Sequence, residues 1–124
     1  MAAPTIFRTC PTTGLKVDLA AQSLIKANVV AAVVFLAIGG LFGLSVALTR
    51  WPDVHFLPLD WFYMALTAHG LDVLLCWIIF FEVAVLYFAS AILLNCRIAA
   101  PRIAWAAFAL MVGGAVLVNI TVLQ

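Results

Sequence analysis

Trp61-Phe-Tyr-Met-Ala-Leu-Thr-Ala-His-Gly-Leu-Asp-Val-Leu-Leu-Cys-Trp-Ile-Ile-Phe-Phe-Glu-Val-Ala-Val-Leu-Tyr-Phe, ending at Phe88, decides how the rest of the chain is read. It is apolar over more than the length a helix needs to cross a bilayer, yet it carries His69, Asp72 and Glu82. Ionisable side chains are expensive in hydrocarbon, so each marks a functional site or a buried partner. His69 is the strongest candidate. A neutral imidazole offers a lone pair without burying a charge, which suits axial coordination of a heme iron or another metal.

Composition places this helix in a membrane protein. Of 124 residues, 68% are hydrophobic and 9% charged, and the mean hydropathy is +1.26. A soluble domain of this size cannot hide so much apolar surface. The net charge of +1 gives no footing for a nucleic-acid partner. Cys10, Cys76 and Cys96 form no Cys-x-x-Cys pair and are read as free thiols. The first apolar stretch starts too late and runs too long for a cleavable signal peptide, so it reads as a true span.

Working outward, Ala27 to Leu48 contains no charge, and its length corresponds to about 33 Å of helix. Gly39 and Gly43 give it the small-xxx-small spacing that lets helices approach closely. Residues 49–60 form a loop with Pro52, His55 and Pro58, flanked by the interfacial aromatics Trp51, Trp61 and Tyr63. The second span runs over 61–94, long enough to tilt or project. A loop closed by Pro101 leads to a third span, 103–123, with Gly113-Gly114 as another expected packing point. Residues 1–26, with Arg8, Lys16, Asp18 and Lys26, form a polar arm, helical from about Val17. The expectation is all-α: an integral membrane bundle with an arm (1–26) and one three-helix domain (27–124).

Orientation follows from the basic residues. With the N-terminus cytoplasmic, Arg8, Lys16, Lys26, Arg97 and Arg102 lie inside and only Arg50 outside, as the positive-inside rule requires. His69 then sits roughly 12 Å into the outer half of the membrane. Arg50 ends the first span on the same side, where its fork can pair with an anion such as a heme propionate, or snorkel to the interface. Gly70 removes bulk beside the imidazole, for a porphyrin or for a neighbouring helix. Asp72, about 60° round the helix, can hold the imidazole, take part in proton movement, or pair with an arginine of a neighbour. Glu82 is about 20 Å deeper and some 140° away, so it cannot share His69's surroundings; proton conduction or a subunit contact are its uses. His55 is a loop histidine, and Asn119 is expected to bond across helices.

No metalloprotease, phosphate-loop, cysteine-cluster or Ser/His/Asp pattern is present. A six-coordinate heme on His69 needs an opposite ligand from outside this sequence. The apolar ending Val118-Asn-Ile-Thr-Val-Leu-Gln124 also reads as a break within a larger bundle.

These residues resemble the opening of the catalytic subunit I of heme-copper oxidases, the B-type branch especially. Gly39-Gly-Leu-Phe-Gly-Leu-Ser-Val-Ala-Leu48 is similar to the end of that family's first helix. Leu66-Thr-Ala-His69-Gly70 is similar to the start of its second. Ile78 to Phe88 keeps the aromatic continuation, and 103–123 falls where the third helix belongs. The resemblance spans about residues 25–124. It implies that His69 is one axial ligand of a low-spin heme, which takes electrons from a copper-bearing subunit II or a cytochrome donor. That heme passes them to a site reducing oxygen or nitric oxide. Arg50 corresponds, one residue out of register, to an arginine near that heme in some branches, whereas Asp72 matches no family acid. Subunit I has a dozen helices, and the copper ligands and second heme lie beyond the third. The chain would therefore be a split or incomplete subunit I in a bacterial or archaeal cytoplasmic membrane, enzymatic only with the remaining part of the subunit. Two other readings stay open: a heme- or quinone-binding anchor of the succinate dehydrogenase kind, lacking its Ser-x-x-His-Arg pattern, and a cofactor-free assembly or scaffold subunit.

Overall fold

A single carboxylate starts the first helix. In the computed structural model, which describes residues 7–124, Asp18 Oδ1 accepts from the Ala20 backbone N–H at 3.2 Å and caps helix α1, Leu19–Arg50. Its other oxygen accepts from the Ile98 N–H at 3.2 Å, tying the helix start to the loop before the third span. The uncharged 27–48 stretch lies inside α1, which the cap extends towards the N-terminus. Helix α2 covers Leu59–Leu71 and α3 Trp77–Phe88. A π-helical turn, Asp72–Cys76, joins them, and a second, Ala89–Leu93, follows. Helix α4, Pro101–Val122, has proline in its first turn, where a missing N–H costs nothing. The segments Leu19–Arg50, Leu59–Leu93 and Pro101–Val122 are each long and apolar enough to cross a membrane. The all-α membrane bundle expected from the sequence is the fold.

The arm holds an element the sequence reading does not anticipate. Strands β1 (Phe7–Thr9) and β2 (Lys16–Asp18) pair antiparallel, Phe7 opposite Asp18. The intervening turn closes through Gly14 N–H to Cys10 O and Cys10 N–H to Leu15 O, both 2.9 Å, with Gly14 at φ +69°. Residues 1–6 of the expected arm lie outside the described range. The Arg97 guanidinium sits 5.9 Å from the Phe7 ring, a second link between the arm and the loop after the second span.

Packing concentrates between α1 and the second span. Phe35 and Phe80 stack at 5.5 Å and 7°, over a cluster completed by Ala32 and Cys76. Phe108 of α4 meets Phe80 edge-on at 6.0 Å. Above this cluster, Gly39 and Gly43 do what their spacing promises. A Cβ on Gly39 would stand 2.8 Å from both Asp72 Cβ and Val73 Cγ2, so this approach exists only because the residue is glycine. Gly113 and Gly114 behave differently: no atom lies within 4 Å of a Cβ built on either. The packing expected there is not made within the described residues, because α4 turns that face outward and buries no residue. The three cysteines are free, as expected.

Candidate functional site

His69 occupies the last turn of α2 and leans on α1. Its Nδ1 lies 2.8 Å from the Gly39 carbonyl oxygen. A carbonyl only accepts, so Nδ1 carries the hydrogen and donates, and the neutral ring keeps its lone pair on Nε2. Gly43 makes room for this arrangement. A Cβ there would fall 2.7 Å from His69 Cε1 and 2.8 Å from Nδ1. The imidazole therefore lies in a cradle cut by one glycine and anchored by the carbonyl of another, a turn earlier. The donor set fits a heme iron: one nitrogen oriented by a backbone oxygen, as metal-bound histidines are, and one left with a lone pair.

Two residues expected beside the histidine are placed otherwise. Asp72 does not hold the imidazole, since Gly39 O has taken Nδ1. The carboxyl is fully buried against Gly39, and its Oδ1 accepts from Asn119 Nδ2 at 2.9 Å. The partner is an amide of this chain's own third span rather than an arginine of a neighbour, and Asn119 bonds across helices as expected. Asp72 Oδ2 and Asn119 Oδ1 are buried acceptors that meet no donor among the described residues. Gly70 has open space beside it, so no neighbouring helix among the described residues uses its missing side chain.

Arg50 and Phe62 close the end of the same helix pair that faces the first loop, the guanidinium carbon 5.7 Å from the ring centroid. Arg50 is seven residues past Gly43 and Phe62 seven before His69, about 10 Å along each helix from the imidazole. Arg50 also shares a depression of about 320 Å³ with His55, Thr49, Leu57, Leu59 and Phe62. Sequence reasoning gave His55 no part in this. The one available signal was Pro58, which turns the loop back, and Thr49 Oγ1 fixes that turn by accepting from Leu57 N–H at 3.1 Å. Glu82 lies well apart, exposed on α3. Its angle to His69 cannot be counted along a uniform α-helix, because the π-turn at Asp72–Cys76 intervenes. Among the described residues, no group of three or more His, Cys, Asp or Glu side chains gathers as a metal site would. That is compatible with heme, whose porphyrin supplies the other ligands.

Outside the three spans, Cys10 stands in the hairpin turn. The Thr13 hydroxyl, then the Thr13 and Thr12 backbone N–H groups and the Arg8 charge, lower its thiol from 9.0 to about 7.

Fold and site together define a multi-pass membrane protein with one histidine oriented by a backbone carbonyl between its first two spans. The comparison with known families gives that class its name. Residues 23–124 match cytochrome c and quinol oxidase polypeptide I, and the chain belongs to that family. Comparison with curated proteins and with solved structures returned no significant match. Members of this family are oxidoreductases of the heme-copper or quinol oxidase kind, bind heme and work in multi-subunit complexes. The matched residues take in the second and third spans and all of the first except Leu19–Gln22, and begin before the uncharged 27–48 stretch.

Proposed function

We propose that this chain forms the electron-entry part of a heme-copper oxidase subunit I, with His69 Nε2 as one axial ligand of a low-spin heme. The observation that carries the reading is the 2.8 Å contact between His69 Nδ1 and the Gly39 carbonyl, which fixes the tautomer and aims the ring. When bound, the heme supplies reversible one-electron transfer. The chain's own residues do the rest. Gly43 leaves the ring its place, Gly39 holds the proton on Nδ1, and Arg50 presents a fixed cation about 10 Å nearer the membrane surface for the propionate carboxylates. Gly70 keeps the space beside the imidazole open for the macrocycle.

The opposite axial ligand and the gas-reducing centre belong to polypeptide outside these residues, and electrons arrive from a copper-bearing subunit or a cytochrome. Five of the six basic residues would face the cytoplasm of a bacterium or archaeon, leaving Arg50 and His69 in the outer half of the membrane. Neither the dehydrogenase-anchor reading nor the scaffold reading gains from the family match.

Replacing His69 with alanine in the assembled complex should abolish the low-spin component of the reduced-minus-oxidised visible spectrum while the chain still inserts. An unchanged low-spin band in a complex that contains the variant chain would refute the ligation.

A further inference from the structure

Glu82 and the residues around it have no role in the site above. The side chain is exposed within the second span, 11 residues before Leu93, or about 17 Å from that end. With Trp77, Ile78, Phe81, Val85 and Leu86 it lines a depression of about 510 Å³ on the surface of α3. Ile78, Phe81, Glu82 and Val85 stand at i, i+3, i+4 and i+7. Four residues so spaced form the hole that receives one side chain of a facing helix. Phe81, Val85 and Leu86 are 45%, 47% and 67% exposed, so the hole is unfilled by the other described residues.

We propose that this hole docks a membrane-spanning helix lying outside residues 7–124, whose inserted side chain carries an N–H or O–H donor for the Glu82 carboxyl. Two observations fix that occupant. Three walls of the hole are apolar, as helix packing in lipid requires, so neither an aqueous ligand nor a soluble partner suits them. The remaining wall is an acid, which hydrocarbon tails cannot satisfy. Neither the second span nor the body of the third supplies the donor as a cation: no lysine or arginine occurs between Trp51 and Cys96, or after Arg102. Asn119, the amide of the third span, is already committed to Asp72 and to the Ala115 carbonyl. The docking face stands apart from the heme assignment, and either can fail without the other.

A photo-crosslinking amino acid placed at Val85 in the native membrane complex tests the proposal, with the adduct identified by mass spectrometry. The expected adduct is a membrane-spanning peptide with a Ser, Thr, Asn, Gln, His, Lys or Arg at the crosslinked turn. Glu82→Leu should lower its yield about threefold or more, the effect of losing one interhelical hydrogen bond in a membrane. Glu82→Gln, which keeps hydrogen-bonding capacity, should retain more adduct than Glu82→Leu. Adducts confined to lipid, to a quinone or to a second copy of this chain would overturn the proposal. So would a yield that Glu82→Leu leaves unchanged.

Discussion

The contact between α1 and the second span differs in kind from the contact either makes with α4. The first two spans meet over a long antiparallel interface, glycine against imidazole and Asp72 at one level, phenylalanine stacked on phenylalanine at the next. Helix α4 fully buries no residue and touches them through Phe108, Met111, Val112 and Ala115, packed against the Phe35–Phe80 cluster, and through one Asn119–Asp72 hydrogen bond. In lipid no hydrophobic force drives helices together, so close backbone approach and polar bonds decide which pairs hold. The first interface has both. The second has the polar bond and half-buried side chains, with no close backbone approach at its glycines. Its open faces, Gly113 and Gly114 included, suit further helices of a larger bundle.

The largest expected effect comes from breaking the tight side. Gly43→Val places carbon where the His69 ring lies, so the ring or the helix must move. Overpacking of that kind costs about 1–3 kcal/mol, read as a lower unfolding midpoint in mixed micelles, and the low-spin heme band should weaken with it. Next comes the loose side. A double-mutant cycle on Asp72→Leu and Asn119→Leu should give a coupling near 0.6 kcal/mol and below about 1.7 kcal/mol, the range of interhelical hydrogen bonds in membranes. A coupling near zero would mean that α4 is held by the apolar contacts of Phe108, Met111, Val112 and Ala115.

Smaller still, Gly113→Ala with Gly114→Ala should leave the α4 contact within about 0.5 kcal/mol, since a Cβ at either position meets nothing. A large loss in the assembled complex but not in the isolated chain would locate a partner helix on that face. The smallest effect lies outside both interfaces. Cys10 should alkylate slowly in acid, where it is a thiol, and faster as pH rises through about 7, where it becomes thiolate. Thr13→Ala, which removes the leading cause of the lowered pKa, should move that rise to higher pH.

The sequence made the tight side easier to read than the loose one. Uncharged runs bounded by arginine, proline and tryptophan announced the spans, and Gly39 with Gly43 announced a close approach. His69's bond to Gly39 was out of reach, because it depends on which turn of α1 faces which turn of α2. Asp72 illustrates the same limit: the imidazole, a proton route and an arginine of a neighbour all suited its chemistry, and only the packing of the spans put Asn119 beside it. The π-turns left no trace in composition, because a helix apolar on every side carries no polar stripe whose phase could reveal a slip. The hairpin escaped because three-residue strands are too short to show alternation, although Pro11-Thr-Thr-Gly14 was an adequate turn signal.

The π-turn after His69 has a consequence for any alteration in chain length. Its bond from the Trp77 N–H to the Asp72 carbonyl spans one residue more than an α-helical bond does. Deleting a single amino acid between Asp72 and Cys76 would let the ladder close as regular α-helix, because the widened turn takes up its extra residue locally, so Phe80 would keep Phe35. The same deletion just beyond the turn, between Trp77 and Phe80, would instead swivel everything after it by about 100°. The widened turn works as slack: it absorbs a change of length that the regular helix on either side would pass on as a rotation.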